Sequence, residues 1–272
     1  MSAVVLSAPP RPASGMARRA RVLLRNAVPF LVLAALWETA ARAGLFPTLL
    51  FPTLGTIGAS FVRLAASGIL LHHTIATILR LAAGFAIAAV LGLSIGLAMG
   101  TSRRVEDYLL PLVSILAPIP GLAYTPLFLL WFGTGDLAVV LLVGFVASFA
   151  VIYNTWTGVK AVKEIWLRAA RAMGADRAAM FRLVVLPGAL PYILTGLRLG
   201  IAQAWRILVA AEMLAGVPWG LGWLIFGARE FLDTGAMLVG VLTIAVIGLI
   251  LEHLVFRKLE AWTVIRWGML AA

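Results

Sequence analysis

TIATILRLAAGFAIAAVLGLSIGLAMG, residues 74–100, carries a single charged side chain, Arg80, in a run long enough to cross a bilayer. About 20 apolar residues span the ~30 Å of hydrocarbon, and a helix that is apolar on every side is a buried or membrane-spanning one. Small residues recur at every fourth position of this run: Gly84, Ala88, Gly92, Gly96 and Gly100. They share one helix face and predict that another helix backbone approaches closely there. Gly196 and Gly200 repeat the pattern once, further along the chain.

Five more runs of this character lie at 27–43, 108–132, 137–158, 191–215 and 235–256. Six predicted spans make the chain an all-α polytopic membrane protein. The composition agrees: 62% of the 272 residues are hydrophobic, 12% are charged, and the mean hydropathy is +1.04. A soluble chain is about one-quarter charged. The predicted organisation is a cytoplasmic N-terminal tail (1–26), a six-helix membrane domain (27–258) with a loop at 160–190, and a cytoplasmic C-terminal tail (259–272). The first run reads as an uncleaved span, since it carries Glu38 and Arg42 where a cleaved signal would show small residues. Those two are four apart and able to pair.

The net charge of +11 invites a nucleic-acid reading. The positions of the charges favour topology instead. With six spans, one side holds Arg11, Arg18, Arg19, Arg21, Arg25, Arg103, Arg104, Lys160, Lys163, Arg168, Arg171, Arg177, Arg182, Arg257, Lys258 and Arg266. The other holds only Arg42, Arg63 and Arg229. Basic residues collect on the cytoplasmic side, so both termini are expected in the cytoplasm and no nucleic-acid partner is needed. There is no cysteine, and His72, His73 and His253 lack zinc-site spacing. His72 and His73 are expected at the membrane surface.

Pro111, Pro118, Pro120 and Pro126 interrupt the third run. Each removes a backbone donor, and in lipid the freed carbonyls need protein or water. That span is therefore expected either to face a water-filled path or to pack as a kinked helix. Thr56–Ala66 has helical spacing at Ile57, Phe61 and Leu64, and reads as an interfacial helix. Trp219, Trp223 and Phe226 read as a second surface segment.

The loop from Lys160 to Pro191 is structured in composition. Lys163–Met173 suits a helix that stops at Gly174, and Asp176 suits the N-cap of a second one reaching Leu186, closed by Pro187. Two short helices with a tight turn make a basic knob at the base of the spans. Within it stands Arg168-Ala169-Ala170-x-x-x-Gly174, nine residues, then Val184-Val185-Leu186-Pro187. This resembles the E-A-A-x-x-x-G, nine residues, I-x-L-P loop of ABC importer permeases, without a gap. Arg168 replaces the family's Glu and Val184 its Ile; the first change inverts a charge.

The resemblance runs from about Trp37 to Leu251 and is nearest to the sulfonate, taurine, nitrate and bicarbonate branch. Segments similar to that branch include Leu36-Trp37-Glu38, His73 to Arg80 running into Gly84-Phe85, Ala117-Pro118-Ile119-Pro120, Ala211-Glu212-Met213 and Gly220-Leu221-Gly222. It implies a type I importer fold and a permease role for a small anionic solute in a bacterial inner membrane. It also implies two ATPase subunits, a second permease copy forming a homodimer, and a periplasmic or lipid-anchored solute-binding protein. The ATPase-coupling residues would then be Arg168, Ala169, Ala170, Gly174, Asp176, Leu186 and Pro187. ATP would be bound by the partner, since the chain lacks any Gly-Lys pair and so lacks a P-loop; no cofactor of its own is expected.

Ionisable residues inside spans cost about 2.5–3.5 kcal/mol at a helix centre on insertion scales and face protein or water. Arg206 is such a residue, with Gln203 and Glu212 on the same predicted helix. It either lines the solute path or pairs with Glu212 or Glu38. Pro118, Pro120 and Asn154 join the candidate path, although Asn154 is also suited to bonding across helices. Arg80 is expected to pair or to snorkel. A self-sufficient secondary transporter of a small anion is the alternative, but paired inverted repeats of broken helices are not visible. No H-E-x-x-H or G-x-S-x-G occurs to suggest an enzyme.

Overall fold

The computed structural model describes residues 15–44 and 46–251, with side chains from residue 24 onward. The expected C-terminal tail, the first 14 residues of the N-terminal tail, and with them Arg11, His253, Arg257, Lys258 and Arg266, lie outside the described residues. The helices are α1 (Gly15–Arg42), α2 (Leu54–Ala66), α3 (Ile69–Thr101), α4 (Arg103–Leu116), α5 (Thr125–Phe132), α6 (Asp136–Lys160), α7 (Glu164–Ala172), α8 (Arg177–Met180), α9 (Leu186–Leu214), α10 (Leu221–Glu230) and α11 (Thr234–Ile250). A 3₁₀ turn at Gly121–Tyr124 precedes α5, and a π turn at Phe181–Val185 joins α8 to α9. No strand occurs among the described residues. The chain divides into two compact units, residues 1–59 and 60–272.

In the first unit, Trp37 and Glu38 of α1 organise the segment that follows. The Trp37 indole stacks on Phe51 at 4.0 Å and donates to the Pro52 carbonyl at 3.0 Å. Glu38 forms the expected pair with Arg42 at 2.7 Å and also accepts from the Leu54 amide at 2.8 Å, at the start of α2.

The core of the second unit is α3 against α6, and α6 against α9. The glycine ridge of α3 does what its spacing predicts. Gly84 meets Val143, Gly92 meets Val151, Gly96 meets Thr155 and Gly100 meets Val159. The two helices therefore run parallel in one unbroken register, with Ala88 fully buried between the glycines. A β-carbon on Gly96 would lie 2.6 Å from Thr155 Cβ and 2.9 Å from the Ile152 carbonyl. Thr155 stands in a row of valines, and its hydroxyl has no partner among the described residues. α9 runs the other way along α6, with Gly196 at Asn154 and Gly200 at Val151.

By length and composition, α3, α6 and the helical run Arg177–Leu214 can each cross a membrane. α4 and α5 with its 3₁₀ turn make a fourth if counted as one span bent by 95°. The bend falls at Ala117–Pro120. Pro118 and Pro120 thus break the helix as expected, whereas Pro111 sits inside α4 and Pro126 in the first turn of α5. At that first turn a missing N–H costs nothing.

α2 forms where predicted, with a different inner face: Ile57, Ser60 and Leu64 are buried while Phe61 is exposed. The reason is local. Ser60 is small enough for Gly235 of α11 to close on it, and a β-carbon on Gly235 would meet Ser60 Oγ at 2.5 Å. Arg63 reinforces the contact with a 2.6 Å ion pair to Asp233, which also caps α11 through the Ala236 amide. Burial pushes the Asp233 carboxyl up, but that amide and Arg63 outweigh it and hold the group below its usual range.

Candidate functional site

Two constructions stand at opposite ends of the α3–α6–α9 core. The first is the knob between α6 and α9. α7 ends in a complete Schellman motif: the Gly174 amide donates to Arg171 O at 3.0 Å and the Ala175 amide to Ala170 O at 3.0 Å. Gly174 supplies the required left-handed backbone, at φ +81°. Asp176 then caps α8, accepting from the Ala179 amide at 2.7 Å. The expected turn and cap are both present, and Ala170 is the buried residue of α7 while Ala169 faces out. Arg168 lies one turn from Glu164, with Nε–Oε1 3.3 Å.

The second knob helix does not end at Leu186. The Leu186 amide donates five residues back to Phe181, forming the π turn, and the helix continues into α9 through Pro187. A proline inside a regular α-helix clashes with the carbonyl four residues earlier. The widened turn relieves that clash, so Pro187 marks a splice rather than a stop.

Valine at position 174 places a β-branched residue in the left-handed region, a cost of at least about 1–2 kcal/mol. In Gly174→Val the α7–α8 turn is expected to open, and trypsin should then cut rapidly at Arg171 and Arg177. Gly174→Asn, which tolerates this backbone, should resist cleavage as the parent does.

Close to the knob, Glu106 of α4 accepts from Lys160 Nζ at 2.5 Å and from Trp156 Nε1 at 3.1 Å. This joins the start of the broken α4–α5 pair to the last turns of α6. The sequence showed Lys160 only as a topology signal and gave no sign of its partner.

At the far end, α3 and the loop that follows α9 converge on Glu212, which is 0% exposed. Arg80 Nη1 donates to its Oε1 at 2.7 Å, Thr77 Oγ1 lies 3.0 Å from both oxygens, and the Gly222 amide donates to Oε2 at 3.0 Å. Arg80 also donates from Nε and Nη2 to Asp136 Oδ1, at 3.0 and 2.7 Å. Thr77 Oγ1 accepts from the Leu221 amide at 2.8 Å, and His73 Nδ1 from the Gly220 amide at 2.9 Å. A β-carbon on Gly220 would fall 2.6 Å from the Glu212 carboxyl carbon, so glycine is needed for the loop to wrap the carboxylate. The Gly135 amide adds a bond to Ala215 O at 3.1 Å. Arg80 therefore pairs, and His73 is buried rather than at the surface, because the 215–222 loop folds over it. The cluster is a fully bonded fastening, and no group of residues able to hold a metal occurs among those described.

The remaining candidates do not join it. Arg206 is exposed and donates to Ala202 O on its own helix at 3.1 Å. Glu212 and Glu38 are engaged by Arg80 and Arg42, and no ion pair of Arg206 occurs among the described residues. Gln203 is half-buried on the same helix. Asn154 donates to Ala150 O at 2.8 Å, within α6 and not across to α9, because Gly196 packs against its β-carbon. Pro118 and Pro120 are exposed at the bend.

Residues 88–257 match the family described as binding-protein-dependent transport system inner membrane component. The taurine transport system permease protein TauC of Escherichia coli (strain K12) is 38% identical over 240 residues, 85% of this chain and 86% of that protein. The bicarbonate transport system permease protein CmpB of Synechococcus elongatus is 33% identical over 193 residues, 71% of this chain and 69% of that protein. Among solved structures, an inward-facing form of the MetNI methionine ABC transporter superposes with a TM-score of 0.64 at 16% identity, over 72% of this chain and 97% of that one.

Proposed function

Because the chain belongs to the binding-protein-dependent transport system inner membrane components, the permeases of ABC importers, we propose that it carries a small anion of the sulfonate, taurine, nitrate or bicarbonate class into a bacterial cell. Two copies form the pathway, with both termini and the knob at 160–190 in the cytoplasm and the Glu212 cluster at the outer end. A solute-binding protein, periplasmic or lipid-anchored, delivers the anion. Two ATPase subunits grip the knobs and bind the ATP.

The observation that carries this reading is the knob itself. Its turn is locked by two backbone bonds and a side-chain cap, and its second helix is continuous with a membrane-spanning one. A partner that moves the knob moves α9. The relatives named for taurine and bicarbonate transport support a solute that bears an oxyanion group, a sulfonate in one case and a bicarbonate in the other.

Arg206 supports the same class. It is exposed about two-thirds of the way along α9, where it donates to the Ala202 carbonyl of its own helix and has no ion pair among the described residues. A guanidinium is unstable facing lipid, so this face of α9 belongs to the aqueous pathway between the copies. There it favours anions and disfavours cations.

The test is uptake into vesicles holding the permease, its ATPase and its binding protein. Taurine, an alkyl sulfonate, nitrate and bicarbonate are offered in turn, each as a labelled solute. Arg206→Ala is expected to lower uptake of the transported anion about tenfold or more, the scale of a lost hydrogen bond to a charged group, while the complex still assembles. Unchanged uptake removes Arg206 from the path. Accumulation without an ATPase in the vesicle refutes the importer reading.

A further inference from the structure

The knob is charge-inverted, and the structure shows that nothing within it restores the missing acid. Residues 163–182 carry five basic side chains, Lys163, Arg168, Arg171, Arg177 and Arg182, against two acidic ones, Glu164 and Asp176. Asp176 is committed to the Ala179 amide at 2.7 Å. Glu164 is shared, 3.3 Å from Arg168 and 3.9 Å from Arg171. The knob therefore presents cations outward and no uncommitted carboxylate. The Arg168 side chain is 75% exposed.

The same surface is apolar where an aqueous segment has no reason to be. Met173 is 81% exposed, and Ile165, Trp166 and Leu183 also lie open. Lys163 sits 5.7 Å from the Trp166 ring centroid. Apolar side chains ringed by polar ones mark a protein-binding surface. An exposed i,i+4 pair such as Glu164–Arg168 is worth about 0–1 kcal/mol. Arg168 can exchange it for a better-shielded partner at little cost.

We infer that the ATPase groove receiving this knob is apolar in its floor and acidic on its rim, with carboxylates set against Arg168 and Arg171. This polarity is opposite to the one the E-A-A pattern implies, and it makes Arg168 a determinant of which ATPase the permease accepts. The inference rests on the reading of the knob as the ATPase dock. Charge complementarity of this kind selects partners and excludes those of the wrong sign.

The experiment uses the detergent-purified full-length permease and its own ATPase, with the apparent Kd measured at rising NaCl. The wild-type complex is expected to weaken as salt screens the contact. Arg168→Glu should weaken it roughly tenfold or more at low salt, while Arg168→Lys stays near wild type. Exchanging a groove carboxylate of the ATPase for lysine should weaken the wild-type pair and rescue Arg168→Glu, a crossed result that a structural defect in α7 cannot give. Equal or tighter binding by Arg168→Glu, or indifference to salt, overturns the inference and leaves the dock standing. Binding only when anionic lipid is added shows the arginines meeting headgroups, and also overturns it. No wild-type complex at any salt overturns the docking reading, and the inference with it.

Discussion

Gly96→Leu is expected to yield little or no folded protein. The position has no room: a β-carbon already falls 2.6 Å from Thr155 and 2.9 Å from the Ile152 carbonyl, and the second neighbour is backbone. Leucine adds three more carbons. Ordinary overpacking costs about 1–3 kcal/mol, but α3 and α6 touch through four glycines in one register. Prising them apart at Gly96 also loosens the contacts at Gly92 and Gly100. The measurement is the yield of monodisperse protein in detergent and its unfolding temperature, with Gly96→Ala as the graded intermediate. The same change at Gly227, where a β-carbon would meet nothing within 4 Å, should leave both quantities near the parent values. If Gly96→Leu purified with an unchanged unfolding temperature, the close parallel packing of α3 on α6 would be wrong.

The second large effect belongs to Arg80. Methionine there removes one partner of a buried pair and leaves the Glu212 carboxylate enclosed without its cation. Breaking such a pair costs about 3–5 kcal/mol. Replacing both, as Arg80→Met with Glu212→Leu, removes the stranded charge and should recover much of that loss. Thr77 and the Gly222 amide would still miss an acceptor, so recovery is expected to be partial. Thermal unfolding of the two single variants and the double gives the coupling directly. Simple additivity would mean that the two side chains act independently and that the 2.7 Å contact contributes little. Asp136 is not stranded by the Arg80 change, since its side chain is 66% exposed to solvent.

The parts of this molecule that repeat along one helix were legible in the sequence. Gly84 to Gly100 announce a contact face because a period of four stays on one side of a helix. Gly174 and Asp176 announce a turn because the left-handed backbone and the N-cap each favour a short list of residues. Glu38 and Arg42 pair because they are one turn apart. The Glu212 cluster was visible only as separate fragments, His73 to Arg80, Ala211-Glu212-Met213 and Gly220-Leu221-Gly222. Nothing in any fragment says that all three meet, since the contacts of the first fragment with the other two join residues more than 130 positions apart. The same blindness placed His73 at the surface and offered Glu212 to Arg206. Pro187 was misread for a different reason. Proline disfavours the interior of a regular α-helix, and a π turn is a rarer answer to that strain than a stop.

From Arg177 to Leu214 the chain is one helical run of 38 residues, about 57 Å at 1.5 Å per residue. It starts in the knob and ends two residues past Glu212. A rod of that length works as a lever. Tilting it by about 5° about its knob end swings the opposite tip by about 5 Å, close to one helical pitch. In the proposed importer, a stroke of modest angle at the knob would therefore suffice to open or shut the pathway at the Glu212 end.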